Sequence, residues 1–225
     1  TINALSLAGH RDDGSRWVMF SFFGGGHGGH ADGDGLSHGN APISMATIPP
    51  LEILEAAYPV AFRRWGLRPD SGGAGQHRGG LGAVYEIEVL ANGADGFFFG
   101  ERGRHAPQPV GDGKPAAMNR FSYRADRAAD TPEQTPPMTS KHVGIKLQRG
   151  GSVRLETPGG GGYGDPLQRD MAAVVSDVRL GYISEAAARD HYGVAIASDG
   201  SADVDATIAQ RRDMRKDMRT ANGDA

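Results

Sequence analysis

A short glycine-rich stretch near the N-terminus concentrates side chains suited to metal binding. It reads GGGHGGHADGDGLSH and holds His27, His30, Asp32, Asp34 and His38. Imidazole and carboxylate groups together bind divalent ions such as Zn²⁺ or Mn²⁺, and glycine lets a backbone fold closely around an ion. We therefore expect a metal at His27, His30 and Asp32. The spacing matches no established metal motif, so a structural loop that lines a cavity is the alternative.

A second glycine-rich stretch, residues 68–80, reads RPDSGGAGQHRGG and presents Asp70, Ser71 and Arg78. The amides of such a turn can form an anion-binding concavity, to which Arg78 would add a bidentate donor. Ser71 would need a paired base to act as a nucleophile, and His77 is its neighbour only in sequence. The alternative is an Asp–Arg ion pair that holds the turn closed.

Two glycine runs, residues 24–29 and 159–164, match the pattern G-x-G-x-x-G. A dinucleotide site requires a helix directly after the glycines, so that its N-terminal amides meet the pyrophosphate. The first run continues into Ala-Asp-Gly-Asp-Gly, which is no helix, and neither run is followed by Gly-Lys-Ser/Thr. We therefore predict no nucleotide site in this chain alone.

The composition excludes several classes of protein. The chain has 225 residues, 35 of them glycine, no cysteine and a formal charge of −3. Without cysteine there are no disulfides and no thiolate metal sites, which fits a cytoplasmic protein. The balanced charge argues against a nucleic-acid partner, and no apolar run reaches the roughly 18 residues of a membrane span. The chain starts at Thr1, and we expect a trimmed or incomplete chain.

Strands are predicted where β-branched and aromatic residues cluster or alternate with polar ones. These segments are residues 16–23, 83–90 and 97–99. Residues 143–147 and 152–156 are predicted to pair as a hairpin that turns at Gly150 and Gly151. A helix is predicted from Pro50, since Ile48, Leu51, Leu54 and Tyr58 have helical spacing, and Pro59 should end it.

The C-terminal part has a different character. Asp170 and Ser184 are suited to cap two helices that would end at Gly181 and Gly193. Residues 203–219 carry charges of alternating sign and predict a solvated helix or a frayed tail.

These elements predict an α+β fold with a β-rich, glycine-rich main body and a small C-terminal helical unit. We divide the chain into a β-rich region at residues 1–165, a helical pair at 166–196 and the charged tail at 197–225.

Several segments in order resemble the hydantoinase B family. They are RPDSGGAGQHRGGLG at residues 68–82, TPGGGGYGDPLQRD at 157–170, the pattern of Gly181, Tyr182, Ser184 and Ala187, and the stretch GGGHGG–ADG–PLEILEAAYPV. The resemblance runs from about residue 18 to about residue 196. The family includes one subunit of N-methylhydantoinase, the C-terminal part of 5-oxoprolinase and related subunits of acetone and acetophenone carboxylases.

The resemblance implies an ATP-dependent enzyme that works with a hydantoinase A-like partner. That partner would bind ATP and Mg²⁺ and phosphorylate the substrate oxygen, and the B-like subunit would receive the activated intermediate. Family members are longer and match only through their C-terminal portion, so this chain is expected either to be a fragment or to pair with a further chain that supplies the N-terminal half. The metal ligands of the carboxylases would lie largely in that missing half.

We therefore predict part of an ATP-dependent hydrolase of cyclic amides, with a small-molecule substrate. Asp70, Arg78 and His27 are the catalytic candidates, because the acceptor site needs a base or a metal-bound water and donors for oxyanion charge. One alternative is a portion of an ATP-dependent ketone carboxylase. The other is a non-catalytic assembly module, in which the glycine-rich loops form a rigid platform for the partner.

Overall fold

The computed structural model describes residues 2–39 and 49–221. Its strands are β1 (Ile2–His10), β2 (Arg16–Gly24), β3 (Val60–Leu67), β4 (Ala83–Val89), β5 (Ala94–Phe99), β6 (Arg120–Arg124), β7 (Lys141–Leu147), β8 (Ser152–Glu156), β9 (Ala195–Ile196) and β10 (Ala202–Asp203). Its helices are α1 (Leu51–Ala57), α2 (Met171–Arg179), α3 (Glu185–Tyr192) and α4 (Val204–Ala221).

Two antiparallel sheets form a sandwich. The first has the order β2-β1-β5-β7 and the second β3-β4-β8-β6. Side chains alternate along each strand, so each sheet turns one row of apolar residues toward the other. The Phe23 and Tyr85 ring centroids lie 4.5 Å apart, and those of Phe98 and Phe121 lie 4.6 Å apart. These pairs join the sheets across one shared core.

A second apolar cluster lies in the C-terminal helical unit. It consists of Val174, Ile183, Ala188, Tyr192 and Val194, with Ala74 from the second glycine-rich loop. Sheets and helices in separate layers confirm the α+β prediction. The division of the chain at residues 165 and 196 stays a prediction. Among the described residues, no helix combines the length and the apolar character needed to cross a membrane.

The predicted elements with local signals are confirmed. Strands β2, β4 and β5 cover the three predicted strands, and α1 ends at Ala57, just before Pro59. Ile48, which we placed in that helix, lies outside the described residues. The carboxylate of Asp170 accepts from Ala173 N at 3.0 Å at the start of α2. Gly193 ends α3 with φ +61°, a conformation that favours glycine.

The predicted hairpin of residues 143–147 and 152–156 is wrong. Strand β7 pairs with β5 in the first sheet, whereas β8 lies between β4 and β6 in the second. Gly150 does turn the chain with φ +82°, but the turn carries it from one sheet to the other. Leu147 and Val153 thereby reach the same core from opposite sides. Each of these strands therefore lies in the sheet where its apolar residues face the core, and the short connection between β7 and β8 does not make them pair.

Three glycine-rich segments run side by side next to the sandwich, and we call this region the glycine-rich junction. They are residues 24–39, 68–82 and 157–165. Gly160 N donates to Gly80 O at 2.9 Å, and Gly80 N donates to His27 O at 2.8 Å. A Cβ on Gly79 would lie 1.7 Å from Gly160 O, so the backbones touch directly and no side chain fits between them. The junction brings the sequence-predicted site segments together.

Candidate functional site at the glycine-rich junction

A network of two arginines and two aspartates crosses the junction, and it is buried except at Asp34, whose side chain is 33% exposed. Arg169 Nη1 and Nη2 donate to the carboxylate of Asp34 at 2.6 and 2.7 Å. Asp177 Oδ2 accepts from Arg169 Nη2 at 2.8 Å and from Arg78 Nε at 3.2 Å. The side chains of Arg78 and Arg169 are only 5% exposed. The network joins the first glycine-rich loop, the second loop and α2, and its formal charges balance.

The network keeps Asp34 and Arg169 ionised. Burial alone would raise the pKa of Asp34, but hydrogen bonds and charge from Arg169 and Arg78 outweigh it and hold that pKa below its ordinary value. Burial alone would lower the pKa of Arg169, but Asp34 and Asp177 raise it above its ordinary value. The charges of Asp34 and Arg169 are stabilised by their neighbours, so we infer that the network holds the segments together.

The guanidinium of Arg78 is already engaged in contacts within this network. Besides Asp177, its guanidinium donates from Nη1 to Gly79 O at 2.7 Å and lies 5.3 Å from the Tyr182 ring centroid. Its backbone N–H donates to Asp34 Oδ1 at 2.7 Å. These contacts favour a positioning role, and a catalytic role for Arg78 stays a prediction.

Asp70 has a separate task. Its backbone has a φ of +57°, and its Oδ1 accepts from Ser184 N at 2.8 Å. Its own N–H donates to Tyr182 O at 3.0 Å. Asp70 thus fastens the turn between α2 and α3 to the second glycine-rich loop. The suggested Asp–Arg pair exists at this loop, but Arg78 makes it with Asp177 and not with Asp70.

Ser71 is fully buried and hydrogen-bonded to the backbone. Its hydroxyl donates to Arg68 O at 2.5 Å and accepts from Gly82 N at 2.9 Å. His77, the base considered for it, instead exchanges backbone hydrogen bonds with Tyr163 at 3.0 and 2.9 Å. Ser71 therefore closes a turn and is not set up as a nucleophile.

His27 lies half-buried in the junction. Its backbone N–H donates to Leu36 O at 2.9 Å, and its ring packs against Gly39, where a Cβ would lie 2.6 Å from Nε2. Burial lowers the pKa of His27, which favours the neutral ring. Within the described residues, no hydrogen-bond partner reaches Nε2.

His30 and Asp32 form an exposed turn apart from His27. Asp32 N donates to His30 Nδ1 at 3.3 Å, and His30 N donates to Gly33 O at 3.0 Å. In the parts of the chain that the structure describes, no three His, Asp or Glu side chains converge as a metal site. The structure therefore does not gather His27, His30 and Asp32 into a ligand set, and a metal there stays a prediction.

His38 belongs to an aromatic cluster that sequence reasoning missed. Trp65 Nε1 donates to His38 Nε2 at 2.9 Å, so the hydroxyl of Tyr85 also donates to that unprotonated nitrogen. Burial lowers the pKa of His38 and raises that of Tyr85. The cluster ties the first loop to β3 and β4, and only the fold brings its members together.

Arg169 and Asp177 were also missed as site residues. Arg169 lies within the motif TPGGGGYGDPLQRD, but no neighbouring residue in the sequence indicates which side chains it binds. Asp177 lies one helical turn from Val174, a fully buried residue of α2. A carboxylate beside an apolar helix face requires a buried partner, and that spacing was the available signal.

Comparison with known proteins identifies relatives of this chain. The family model described as Hydantoinase B/oxoprolinase matches residues 1–166. The caprolactamase subunit beta of Pseudomonas jessenii is 40% identical over 167 residues, which cover 72% of this chain and 27% of that protein.

Two solved structures share the fold. The nucleotide-free structure of acetone carboxylase superposes with a TM-score of 0.78 at 27% identity, covering 97% of this chain and 33% of that one. The crystal structure of the ATP-dependent caprolactamase from Pseudomonas jessenii gives a TM-score of 0.76 at 30% identity, covering 92% and 37%. The chain thus spans between 27% and 37% of the length of these relatives. Sequence and fold agree that the chain belongs to the hydantoinase B/oxoprolinase family.

Proposed function

We propose that this chain is the C-terminal portion of a hydantoinase B-type subunit in an ATP-dependent hydrolase of cyclic amides. The observation that carries the proposal is the 40% identity to a caprolactamase subunit, supported by the shared fold of an ATP-dependent caprolactamase. The rest of the subunit belongs either to the same polypeptide or to a separate chain, and a hydantoinase A-like partner binds ATP and Mg²⁺. Since ATP and the absence of cysteine both fit the cytoplasm, we expect the enzyme there.

The chemistry explains why ATP is needed. A ring amide is a poor electrophile, and phosphorylation of its oxygen creates a better leaving group. Phosphoryl transfer requires Mg²⁺ and positioned positive charge. In this chain several glycine amides are already used: Gly26 N donates to Pro158 O and Gly29 N to Gly161 O, both at 2.9 Å. These amides are not free to cradle phosphates, which supports an ATP site on the partner.

The contribution of this chain is to build and hold one wall of the reaction site. The network of Arg78, Asp34, Arg169 and Asp177 fixes the glycine-rich junction to the helical unit. Catalytic roles for Asp70, Arg78 and His27 remain candidates within this proposal. A purely structural assembly module is the second candidate, and the observation that favours it is the use of Asp70 and Arg78 in internal contacts.

A ketone carboxylase is the third candidate, because the acetone carboxylase structure superposes with a TM-score of 0.78. Assays of the enzyme assembled from all its subunits distinguish hydrolysis of cyclic amides from carboxylation of ketones. ATP-dependent phosphate release is measured with hydantoin, 5-oxoproline or caprolactam, and separately with acetone plus bicarbonate. Release that requires a cyclic amide and yields the ring-opened acid supports the hydrolase. Release that requires bicarbonate and yields a carboxylated ketone contradicts it.

A further inference from the structure

The two sheets differ in the character of their outer faces. On the second sheet, Arg63 Nε binds Glu88 at 2.7 Å, and Arg154 binds Glu156 at 2.9 Å and also Glu86. Such crossed ion pairs are typical of a sheet face in contact with water. This charged face follows the usual alternation of buried apolar and solvated polar residues.

The outer face of the first sheet breaks that alternation. Where polar residues are expected, it carries large apolar side chains that are 39–76% exposed: Val18, Phe20 and Phe22 of β2, Phe97 and Phe99 of β5, and Val143 of β7. We call this surface the apolar face. The rings of Phe20 and Phe22 lie 5.1 Å apart, edge to face. A contiguous exposed apolar patch of this kind marks an interaction surface.

The central strand β1 shapes the apolar face. Ser6 lies opposite Phe20 on one side and Phe97 on the other, and Ala4 lies opposite Phe22 and Phe99. Neighbouring strands are about 4.8 Å apart, so the two rows of rings stand roughly 10 Å from each other across a strip of short side chains. Ala4 and Ser6 are only 4% and 8% exposed, so the neighbouring rings cover this strip and the face forms one continuous apolar surface.

The rim of the apolar face is mainly basic. Arg16, Lys141 and Lys146 lie along it, and Asp95 already pairs with Lys146. Lys141 Nζ stands 4.9 Å from the Phe99 ring centroid. A second copy of this chain would bring two basic rims together, because a two-fold interface pairs each patch with itself. An occupant with acidic residues at its margin complements this rim.

The size of the relatives points to the occupant. This chain spans 27–37% of their length, so the remaining polypeptide of the subunit must pack against it somewhere. A permanent neighbour covers a surface that resembles a divided core, whereas transient partners meet more polar surfaces. The apolar face resembles a divided core, whereas the charged face has the polar character of a surface that transient partners contact.

We propose that the apolar face is the surface on which the rest of the hydantoinase B-type subunit packs, through an apolar surface with an acidic margin. This proposal rests on the proposed function only for the identity of that polypeptide. Burial of each phenylalanine on this face stabilises the assembly, so loss of one ring lowers assembly measurably.

Photo-crosslinking in the assembled enzyme tests the proposal. Phe97 is replaced by p-benzoylphenylalanine, and Ser152 on the charged face is replaced in the same way as the control. We expect crosslinks from position 97 to the remaining polypeptide of the subunit, mapped to one segment by mass spectrometry. Crosslinks from position 97 to a second copy or to the ATP-binding partner, or none at all, would overturn the proposal.

Charge substitutions provide a second test. Phe20→Lys and Phe97→Lys should each reduce the yield of assembled subunit about tenfold, which corresponds to about 1.4 kcal/mol, whereas Ser152→Lys should not. Ser6→Phe should also reduce it, because a ring at this nearly buried position displaces the neighbouring rings without lowering the apolar area. Circular dichroism of each free variant establishes that it folds. Equal assembly of Phe97→Lys and Ser152→Lys contradicts the proposal.

Failure of this proposal can be told apart from failure of the proposed function. An enzyme that hydrolyses cyclic amides with ATP, but gives no crosslink from position 97, retains the function and loses the docking surface. An assembly that crosslinks as expected, yet shows no ATP turnover with any cyclic amide, retains the docking surface and loses the function.

Discussion

Arg169 and Asp34 form a bidentate ion pair across 135 positions of the chain, with N–O distances of 2.6 and 2.7 Å. Two parallel hydrogen bonds to one carboxylate fix both the distance and the orientation of the partners. The pair therefore sets how the chain that directly follows the last glycine-rich segment lies on the first one. Asp177 and Arg78 extend the same network to α2 and to the second glycine-rich segment.

Asp177→Asn should destabilise the protein strongly. The substitution keeps the shape of the side chain but leaves Arg78 and Arg169 buried with one carboxylate between them. Loss of one member of a buried ion network costs about 3–5 kcal/mol. Urea unfolding of the free chain measures the change. Asp190→Asn, at an exposed pair with Arg189, is the matched control and should leave stability unchanged. Equal effects would show that the buried network does not hold the junction.

Gly79→Ala should prevent correct packing of the junction. Its Cβ would lie 1.7 Å from Gly160 O, and backbone cannot yield as the end of a flexible side chain can. We expect a loss of at least about 3 kcal/mol or failure to fold. The control is Gly66→Ala, where nothing lies within 4 Å of the new Cβ. Thermal unfolding compares the two. A Gly79→Ala protein as stable as Gly66→Ala would contradict the direct backbone contact.

Stability should fall in mild acid because of His38. Burial holds its pKa in the folded chain below the ordinary value of 6.5, so the unfolded chain binds the proton more readily. The contribution of His38 is therefore fully present above pH 6.5 and is lost as the pH falls toward the lowered pKa. Urea unfolding at about pH 7.5 and about pH 5 measures this loss. His38→Gln, which keeps an acceptor for Trp65 Nε1, should show a smaller loss, and an unchanged loss would exclude His38 as its source.

Asp70→Asn should keep the turnover of the assembled enzyme. Asparagine tolerates the φ of +57° and retains a side-chain oxygen for Ser184 N. Asp70→Ala removes that acceptor and should cost about 1 kcal/mol of stability, with kcat preserved at temperatures where the enzyme stays folded. A loss of kcat by a factor of about 100 in Asp70→Asn would instead assign the carboxylate to catalysis.

Local signals allowed part of the fold to be predicted from the sequence. Pro59 ends α1, and Asp170 and Gly193 cap the C-terminal helices because each acts within one turn of its own position. Strand β1 was not predicted, because its outer positions carry small residues such as Ala4 and Ser6 in place of a polar alternation. Its pairing with β5 depends on contacts distant in sequence.

The candidate site was predicted as segments but not as contacts. Asp70, Arg78 and His27 do lie in one junction, yet their partners are Ser184, Asp177 and backbone groups that no spacing rule connects to them. The family resemblance located the segments, and only the packing of glycine on glycine determines which charges meet. A charged residue in a motif therefore indicated position more reliably than role.

The most direct test of the account compares phosphate release from ATP by the isolated 225-residue chain with release by the full assembly, both supplied with a cyclic amide. We expect no amide-dependent release and no ring opening by the chain alone. We expect both once the rest of the subunit and the ATP-binding partner are added. Ring opening by the isolated chain without a companion polypeptide would contradict it.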